Sequence, residues 1–298
     1  MGSAAGALYG LFVFKYAEDY MHWVFTGFAL LYLFGFSLMC WRVKEGEYPP
    51  PDDLGEKPSI LKQAKIYIRE CFGHPIYWLM FAYTGLQIAA RSAGIGGLVF
   101  NKDALGISLQ QMGMVGAVSG FISMGLQFPA GWMVDKFHPL RMTLWMQLII
   151  TPLQFVMYFL MVDFTSYVAF EGLKLVIFAL YGAAGLPLLI TIFPKDKYGQ
   201  YCSCNGMIKS FAAMPAAFVG ALFIDWVTNN GAIKDAYRWM FIWSGVFQAL
   251  SALVLLAIYF MWKRHGGDAG YLPPGSALEK EKLAAAQAGP EAEPAPAS

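Results

Sequence analysis

Long runs of apolar residues recur along the chain and alternate with short polar connections. A helix needs about 20 mostly apolar residues to cross the hydrocarbon core of a bilayer. By that measure the pattern predicts seven membrane-spanning helices, at 21–41, 75–99, 112–134, 142–162, 171–193, 204–227 and 239–262. An apolar stretch at 2–14 is too short to span. The predicted fold class is therefore all-α, a polytopic transmembrane helical bundle.

Two segments are expected outside the bilayer. The connection at 42–74 opens with a charged, proline-rich run and continues into a stretch in which Leu61 and Ile68 share one helical face. This pattern predicts an amphipathic helix, either on the membrane surface or packed against the bundle. The segment at 265–298 is rich in Gly, Ala, Pro and Glu, which predicts a disordered tail. The expected organisation is a truncated helix and first span at 1–41, a linker at 42–74, a six-helix domain at 75–264 and the tail.

Lysine and arginine residues are unequally divided between the two alternating sets of connections. Cytoplasmic loops accumulate these residues, so the richer set is predicted to face the cytoplasm, with the N-terminus outside and the C-terminus inside. This predicts an integral protein of the plasma (inner) membrane. The richer set holds Arg42, Lys44, Lys57, Lys62, Lys65, Arg69, Lys136, Arg141, Lys195, Lys197, Lys263, Arg264, Lys280 and Lys282, and the poorer set holds Lys15, Lys102, Lys234 and Arg238.

The composition agrees with a membrane protein and excludes several other classes. Only 14% of the residues are charged and 57% are hydrophobic, whereas soluble domains carry about 25% charged residues. The balance of 21 basic against 20 acidic residues argues against a nucleic-acid partner. The four cysteines lack the paired spacing of a zinc site, and no phosphate-binding GxxxxGK[ST] run is present. No enzymatic activity, metal or cofactor is expected.

Other classes of seven-span protein fit the sequence less well. A retinal protein needs a lysine within its last helix to form the Schiff base, and the last span contains none. A seven-helix receptor shares the predicted orientation, but the Asp-Arg-Tyr and Asn-Pro-x-x-Tyr signatures are absent. The receptor stays open as an alternative.

The connection after the third span carries the run Gly131-Trp-Met-Val-Asp-Lys-Phe-His-Pro-Leu-Arg. Gly131 is expected to let a neighbouring helix approach closely, and Asp135 can pair with a cation or a helix N-terminus. Lys136 and Arg141 are expected to anchor a tight turn at the anionic leaflet. The run resembles the gating-loop signature of the major facilitator superfamily. The glycine that is usual within that turn is absent, and His138 stands there, followed by proline.

Two further segments resemble the same family. Pro194 followed by Gly199 and Gln200 is similar to the element that leads into the eleventh helix of sugar-transporter-like members, and 38–50 resembles the end of the sixth helix and the start of the central loop. The resemblance implies that the seven spans are helices six to twelve of a twelve-helix transporter, with 2–14 as part of helix five. The chain would then be the C-terminal half of a sugar/glycoside-cation symporter-like protein, and its missing N-terminal half would be a partner.

Polar side chains at membrane depth are costly and often line a substrate path. In the second span, Tyr83, Gln87 and Arg91 recur at a spacing of four residues, which places them on one helical face. Arg91 is the strongest substrate-binding candidate because its guanidinium offers a fork of donors to a sugar hydroxyl or a carboxylate. It is expected well inside a helix that runs to residue 99. A structural pair with a carbonyl remains the alternative.

Further candidates lie in other spans. Asn205 and Lys209 are one turn apart in the sixth span, although Lys209 can also extend to the membrane interface. Gln127 in the third span is a candidate because it precedes the gating loop. A polar stripe that begins at Gln147 is expected to form interhelical hydrogen bonds. The stretch that begins at Tyr181 contains glycine and proline, which favours a helix that bends or packs closely.

These observations together predict a secondary active transporter that works by alternating access. The predicted cargo is a small polar solute, with a sugar or glycoside favoured by the resemblance; an inactive transporter fragment and a receptor are the alternatives. Glu171 and Asp225 are the only acids in the spans, and both lie near predicted outer ends. A coupling proton or sodium ion would therefore be bound by the missing half, or the carrier is a uniporter, or Arg91 and Lys209 act electrostatically. The lipid bilayer is the remaining expected partner.

Overall fold

The structure is a computed structural model that describes residues 17–43, 59–230 and 237–276. The apolar stretch at 2–14 and the proline-rich run at 44–58 lie outside these ranges. Within them the chain forms eight helices: α1 (Ala17–Arg42), α2 (Ile60–Cys71), α3 (Pro75–Ser92), α4 (Leu109–Phe137), α5 (Pro139–Leu160), α6 (Phe164–Ile192), α7 (Tyr198–Asn230) and α8 (Trp239–Arg264). Short helical turns follow α3 (Ala93–Gly96, Gly97–Val99 and Phe100–Ala104), precede α7 (Lys195–Lys197) and follow α8 (Gly267–Gly270).

The predicted all-α helical bundle is confirmed. Among the described helices, α1, α5, α6, α7 and α8 are long and apolar enough to cross a membrane. Helices α3 and α4 occupy the positions of the second and third predicted spans but do not reach that apolarity, since Gln87 and Arg91 interrupt α3 and glycine, serine and glutamine recur in α4. Their membrane crossing stays a prediction.

Side-chain caps fix where several helices begin. The Ser108 hydroxyl accepts a hydrogen bond from the backbone N–H of Gln111, whose side chain bonds back to the backbone of Ser108. Asp163 and Ser166 form the same reciprocal arrangement at the start of α6. Each such cap stabilises its helix by about 1 kcal/mol. These polar residues therefore mark the ends of the apolar runs that the sequence pattern located.

Helix α8 is at the centre of the bundle. It packs against α3 and α5, while α7 packs on α3, α6 on α5 and α4 on α6. The apolar core has two parts, one that includes Cys71 of α2 with buried residues of α3, α7 and the end of α8, and one that extends along α4, α5 and α6. By contrast, the 18-residue segment Phe25–Arg42 of α1 has no buried residue. The six helices α3 to α8 thus form the packed unit that holds the site.

Helix α2 is amphipathic, as predicted, and its C-terminal end is packed against α7. Glu70 pairs with Lys197 at 2.5 Å between Oε1 and Nζ, and its backbone carbonyl accepts a hydrogen bond from Tyr201 Oη at 2.9 Å. Cys71 is fully buried there, and burial raises the pKa of its thiol to about 12, so the thiol is protonated near neutral pH. The N-terminal half is different, because Leu61 is 83% exposed. Packing therefore explains one end of α2 and leaves the apolar face at the other end uncovered.

The prediction of a disordered tail from residue 265 is wrong for residues 265–276, which form a strap across the α2 end of the bundle. Tyr77 Oη donates a hydrogen bond of 2.7 Å to the carbonyl of Pro274, and Tyr271 Oη donates one of 3.3 Å to the carbonyl of Ile192. Ser276 is buried. The composition of this segment did not indicate order, because the strap is held by a few specific contacts, namely the two tyrosine hydrogen bonds and the packing of Tyr271 on the core. Residues 277–298 lie outside the described ranges.

A close approach between α7 and the end of α3 makes Gly220 sensitive to substitution. A Cβ at this position would lie 2.8 Å from Ser92 Oγ and 3.3 Å from the backbone nitrogen of Ala93. We expect Gly220→Ala to lower the free energy of unfolding by about 1–3 kcal/mol, because the added methyl group overpacks the contact. Thermal or denaturant unfolding of the purified chain measures this.

Gly206, on the same helix, is the matched control. Among the described residues no atom lies within 4 Å of a Cβ placed there. Gly206→Ala should therefore be neutral or stabilising by up to about 1 kcal/mol through its effect on the unfolded chain. Equal effects of the two substitutions would show that the close approach does not limit stability.

Candidate solute-binding site

A polar cavity lies between α3, α5, α6 and α7. Its volume is about 340 Å³, which is within the range of small-molecule sites. Helix α3 contributes the face that the sequence pattern singled out, and α6 supplies the opposite wall. The lining residues are Met80, Tyr83, Thr84, Gln87, Ile88, Arg91, Thr143, Tyr181, Gly185, Leu186, Leu188, Leu189 and Lys209.

Two tyrosines join α3 and α6 at this cavity. The hydroxyl groups of Tyr83 and Tyr181 are in direct hydrogen-bond contact. Arg91 is near enough to interact electrostatically with both hydroxyls. Because each hydroxyl carries one hydrogen, the mutual bond uses one of them and leaves the other free to be donated. The pair can therefore hold its two helices together and still donate to a solute oxygen.

A buried amide network lies beside the cavity. Gln87 Nε2 donates to Gln147 Oε1 at 2.9 Å and to Ser251 Oγ at 2.5 Å. Gln147 Nε2 in turn donates to Gln248 Oε1 at 2.5 Å and to the Gln248 carbonyl at 2.9 Å. All four side chains are buried. The predicted interhelical bonding of Gln147 is confirmed, and both donor hydrogens of Gln87 are occupied within the protein.

A second polar contact fixes α7 against α3. Thr84 Oγ1 donates to Asn205 Oδ1 at 2.8 Å, and only 2% of Asn205 is exposed. Asn205 is not among the cavity-lining residues, whereas Thr84 is. Asn205 thus lies directly behind the cavity wall, and Lys209, one turn further along α7, reaches the cavity itself.

The charge of the cavity is positive. Arg91 and Lys209 are its charged lining residues, and its lining contains no aspartate or glutamate. Among the ion pairs of the described residues, which are Arg141–Asp268, Lys174–Glu171 and Lys197–Glu70, neither of these two cations takes part. The site therefore presents two uncompensated positive charges, one tyrosyl hydrogen and several apolar side chains.

The regular part of α3 is shorter than the predicted span. The helix ends at Ser92, which places Arg91 in its last turn, and the chain continues through short helical turns. The glycines at positions 94, 96 and 97 explain this difference, since glycine is a poor helix former. Ser92 Oγ donates to the Ala89 carbonyl at 2.8 Å and so satisfies a backbone group at that end. Arg91 is consequently exposed at the rim of the cavity rather than enclosed.

The structure brings four of the six sequence-predicted binding residues to one cavity, namely Tyr83, Gln87, Arg91 and Lys209. Asn205 supports the cavity from behind. Gln127 is exposed on α4 and is not among the residues that line this cavity. The cavity also contains Tyr181, Thr84 and Thr143, which were not predicted as binding residues. For Tyr181, the neighbouring glycines and proline were the available sequence signal.

The gating-loop residues connect α4 and α5 at the α2 end of the bundle. Lys136 Nζ lies 4.8 Å from the centroid of the Trp132 ring, and Arg141 is paired with Asp268 of the strap. Asp135 is exposed and, among the described residues, forms no ion pair. No described atom lies within 4 Å of a Cβ placed at Gly131, so the expected close helix approach at Gly131 is wrong for this conformation.

His138 occupies the position where the family signature has glycine. Its φ is 73°, in the left-handed region that favours glycine. The ring compensates in two ways, because Nδ1 accepts a 3.3 Å hydrogen bond from the backbone N–H of Leu140 and the ring stacks on Trp262 at 4.6 Å between centroids. Burial lowers the pKa of His138, which favours the neutral form whose Nδ1 can accept. The tight turn is thus kept without glycine.

Another cavity, of about 600 Å³, lies at the α2 end between the gating loop and the strap. Its polar lining includes both signs of charge, with Lys195 beside Asp196 and Asp268. In the described part of the chain no group of three or more His, Cys, Asp or Glu side chains could hold a metal ion. The polar cavity around Arg91 is therefore the better candidate for binding a solute.

Comparison with protein families gives a match over more than half of the chain. The family model described as Major Facilitator Superfamily matches residues 1–185. This range includes α1 to α5, most of α6 and the gating loop, whereas the element at 194–200 lies beyond it. No curated protein and no solved structure matches the chain.

Proposed function

Because the chain belongs to the major facilitator superfamily, we propose that it is part or all of a secondary transporter that moves a small polar solute by alternating access. Transporters of this kind bind the solute near the midplane between two related halves. The observation that supports this proposal is the cavity of about 340 Å³ with its polar lining from α3, α5, α6 and α7. Its position between helices suits a solute that is released when those helices move.

A sugar or glycoside is the cargo that we propose from the resemblance around residues 194–200. The hydroxyl groups of Tyr83, Thr84, Thr143 and Tyr181 support a hydroxylated solute, since hydroxyls can donate to and accept from one another. Transport coupled to a proton or sodium ion would then use groups that lie elsewhere, because no acidic side chain lines the cavity.

We also propose that the described helices form the C-terminal half of the transporter, with the N-terminus outside and the C-terminus in the cytoplasm. The exposure of α1, of Arg91 and of Gln127 supports this proposal. Exposed polar groups on a membrane bundle usually face a protein interior or an aqueous path. A missing N-terminal half placed against this side would cover them and complete the cavity, and Gln127 would then contribute to it.

Exchange transport tests the proposed function. The purified chain is reconstituted into liposomes, and uptake of radiolabelled glucose, a glucoside and polar acids is measured with and without unlabelled solute inside. Alternating access predicts that internal solute accelerates uptake several-fold, because the loaded carrier returns without an empty step. Protein-free liposomes are the control. Uptake that internal solute does not accelerate would indicate a channel, and a folded chain that neither takes up nor binds any of these solutes would contradict the proposal and favour a receptor or an inactive fragment.

A further inference from the structure

Two cationic side chains from neighbouring helices reach the same cavity. Arg91 comes from the last turn of α3, and Lys209 comes from α7. Both are flexible and can converge on one group of a bound molecule. Lys209 is half-buried in the bundle and Arg91 is at the rim, so the positive potential extends from the mouth into the site.

Among the described residues, no acidic side chain forms an ion pair with either cation. Acidic side chains of the spanning helices lie elsewhere: Glu171 is paired with Lys174 at 2.5 Å, and Asp225 lies at a separate cavity beside Gly220. Charges at membrane depth are costly unless they are paired. A pair of uncompensated cations is therefore best explained by a ligand that brings negative charge.

The neutral groups of the cavity offer both donors and acceptors. Gln87 has both donor hydrogens occupied by Gln147 and Ser251. The tyrosine pair has one hydrogen to give, and the guanidinium and ammonium groups can only donate. The two cations can only donate and suit a group rich in acceptor oxygens, whereas Gln87 Oε1 and the hydroxyls of Thr84 and Thr143, whose hydrogens are already donated within the protein, can accept from hydroxyl groups of the same solute.

We propose that the transported solute carries an anionic group, a carboxylate or a phosphate, which binds between Arg91 and Lys209 beside the Tyr83–Tyr181 pair. This inference rests on the proposed function and narrows its substrate class from polar solutes in general to acidic ones. An acidic sugar derivative satisfies both the hydroxyl groups of the wall and the two cations.

A set of ligands with one sugar frame and different charges tests the inference. Binding of glucose, glucuronate, glucose 6-phosphate and glucosamine to the purified full chain in nanodiscs is measured by calorimetry at low and high salt. We expect at least one acidic member to bind about 10- to 100-fold more tightly than glucose, because hydrogen bonds to charged groups are the stronger ones. The preference should shrink at high salt, where exposed charges are screened. Carboxylate and phosphate are distinguished by which of the two acidic sugars binds better.

Variants connect the preference to the two cations. Lys209→Ala and Arg91→Ala should each remove most of the preference for the acidic member, while Lys102→Ala, on an exposed turn outside the cavity, should keep it. Circular dichroism and size-exclusion profiles establish that each variant is folded. Equal binding of glucose and both acidic sugars, tighter binding of glucosamine, or no binding by a folded chain would overturn the inference.

Failure of the acidic substrate class and failure of the proposed transport function give different experimental results. Exchange transport of neutral sugars without a charge preference would overturn the acidic substrate class and leave the transporter in place. Tight binding of the acidic sugar without exchange transport would support the acidic substrate class and contradict transport by this chain on its own.

Discussion

Replacing Arg91 by alanine is expected to reduce solute uptake about 10- to 150-fold at low solute concentration. The side chain lies at the rim of the cavity and interacts electrostatically with Tyr83 and Tyr181. A hydrogen bond to a charged group contributes about 1.5–3 kcal/mol, and that free energy corresponds to the expected factor. Initial uptake rates into liposomes that contain equal amounts of inserted protein measure the effect.

Two variants separate the role of the charge from that of the fold. Arg91→Lys keeps the positive charge but loses the planar fork of donors, so we expect it to recover part of the uptake. Lys102→Ala removes a cation from an exposed turn outside the cavity and should leave uptake unchanged. Wild-type uptake by Arg91→Ala would contradict the assignment of Arg91 to solute binding.

The fold class was predictable because it depends on one strong physical signal. Apolar runs of the length of a bilayer mark the helices, and capping residues such as Ser108 and Asp163 mark where they begin. Helix α3 was harder to delimit. Its last predicted residues form short turns, since three glycines after Ser92 weaken the helix without changing the apolar pattern.

The candidate site was predictable only along one helix. The spacing of Tyr83, Gln87 and Arg91 places them on one face, and that face does line the cavity. Which residues of other helices lie opposite depends on how the helices pack, and sequence spacing within one helix carries no such information. Tyr181 was missed for that reason, and Gln127 lies away from the cavity because another face of α4 packs on α6.

The strap and the gating loop form one unit that composition did not indicate. Trp262 is the residue that connects them, because it stacks on His138 of the loop and lies under Gly267 of the strap. His138 in turn keeps a backbone conformation that normally requires glycine. The ion pair of Arg141 with Asp268 is exposed and so contributes little stability by itself. The packing of Trp262 is therefore expected to contribute more than this ion pair to joining the loop and the strap.

Trp262→Ala is accordingly expected to lower the free energy of unfolding by about 3–5 kcal/mol, the cost of removing a fully buried aromatic side chain. Only 1% of Trp262 is exposed, and its ring contacts His138 and Tyr259 at centroid distances of 4.6 and 5.8 Å. The alanine would leave a cavity between loop and strap. Denaturant unfolding of the purified chain in a defined detergent measures the change.

Trp262→Phe distinguishes the packing of the ring from the polarity of the indole. The indole nitrogen is buried and has no hydrogen-bond partner among the described residues. Its removal therefore leaves no partner unsatisfied and costs little stability. The smaller aromatic ring keeps most of the contact with His138, and we expect a loss below about 1.5 kcal/mol. If Trp262→Phe lowered the free energy of unfolding as much as Trp262→Ala, a polar interaction of the indole nitrogen, rather than aromatic packing, would hold the loop and the strap together.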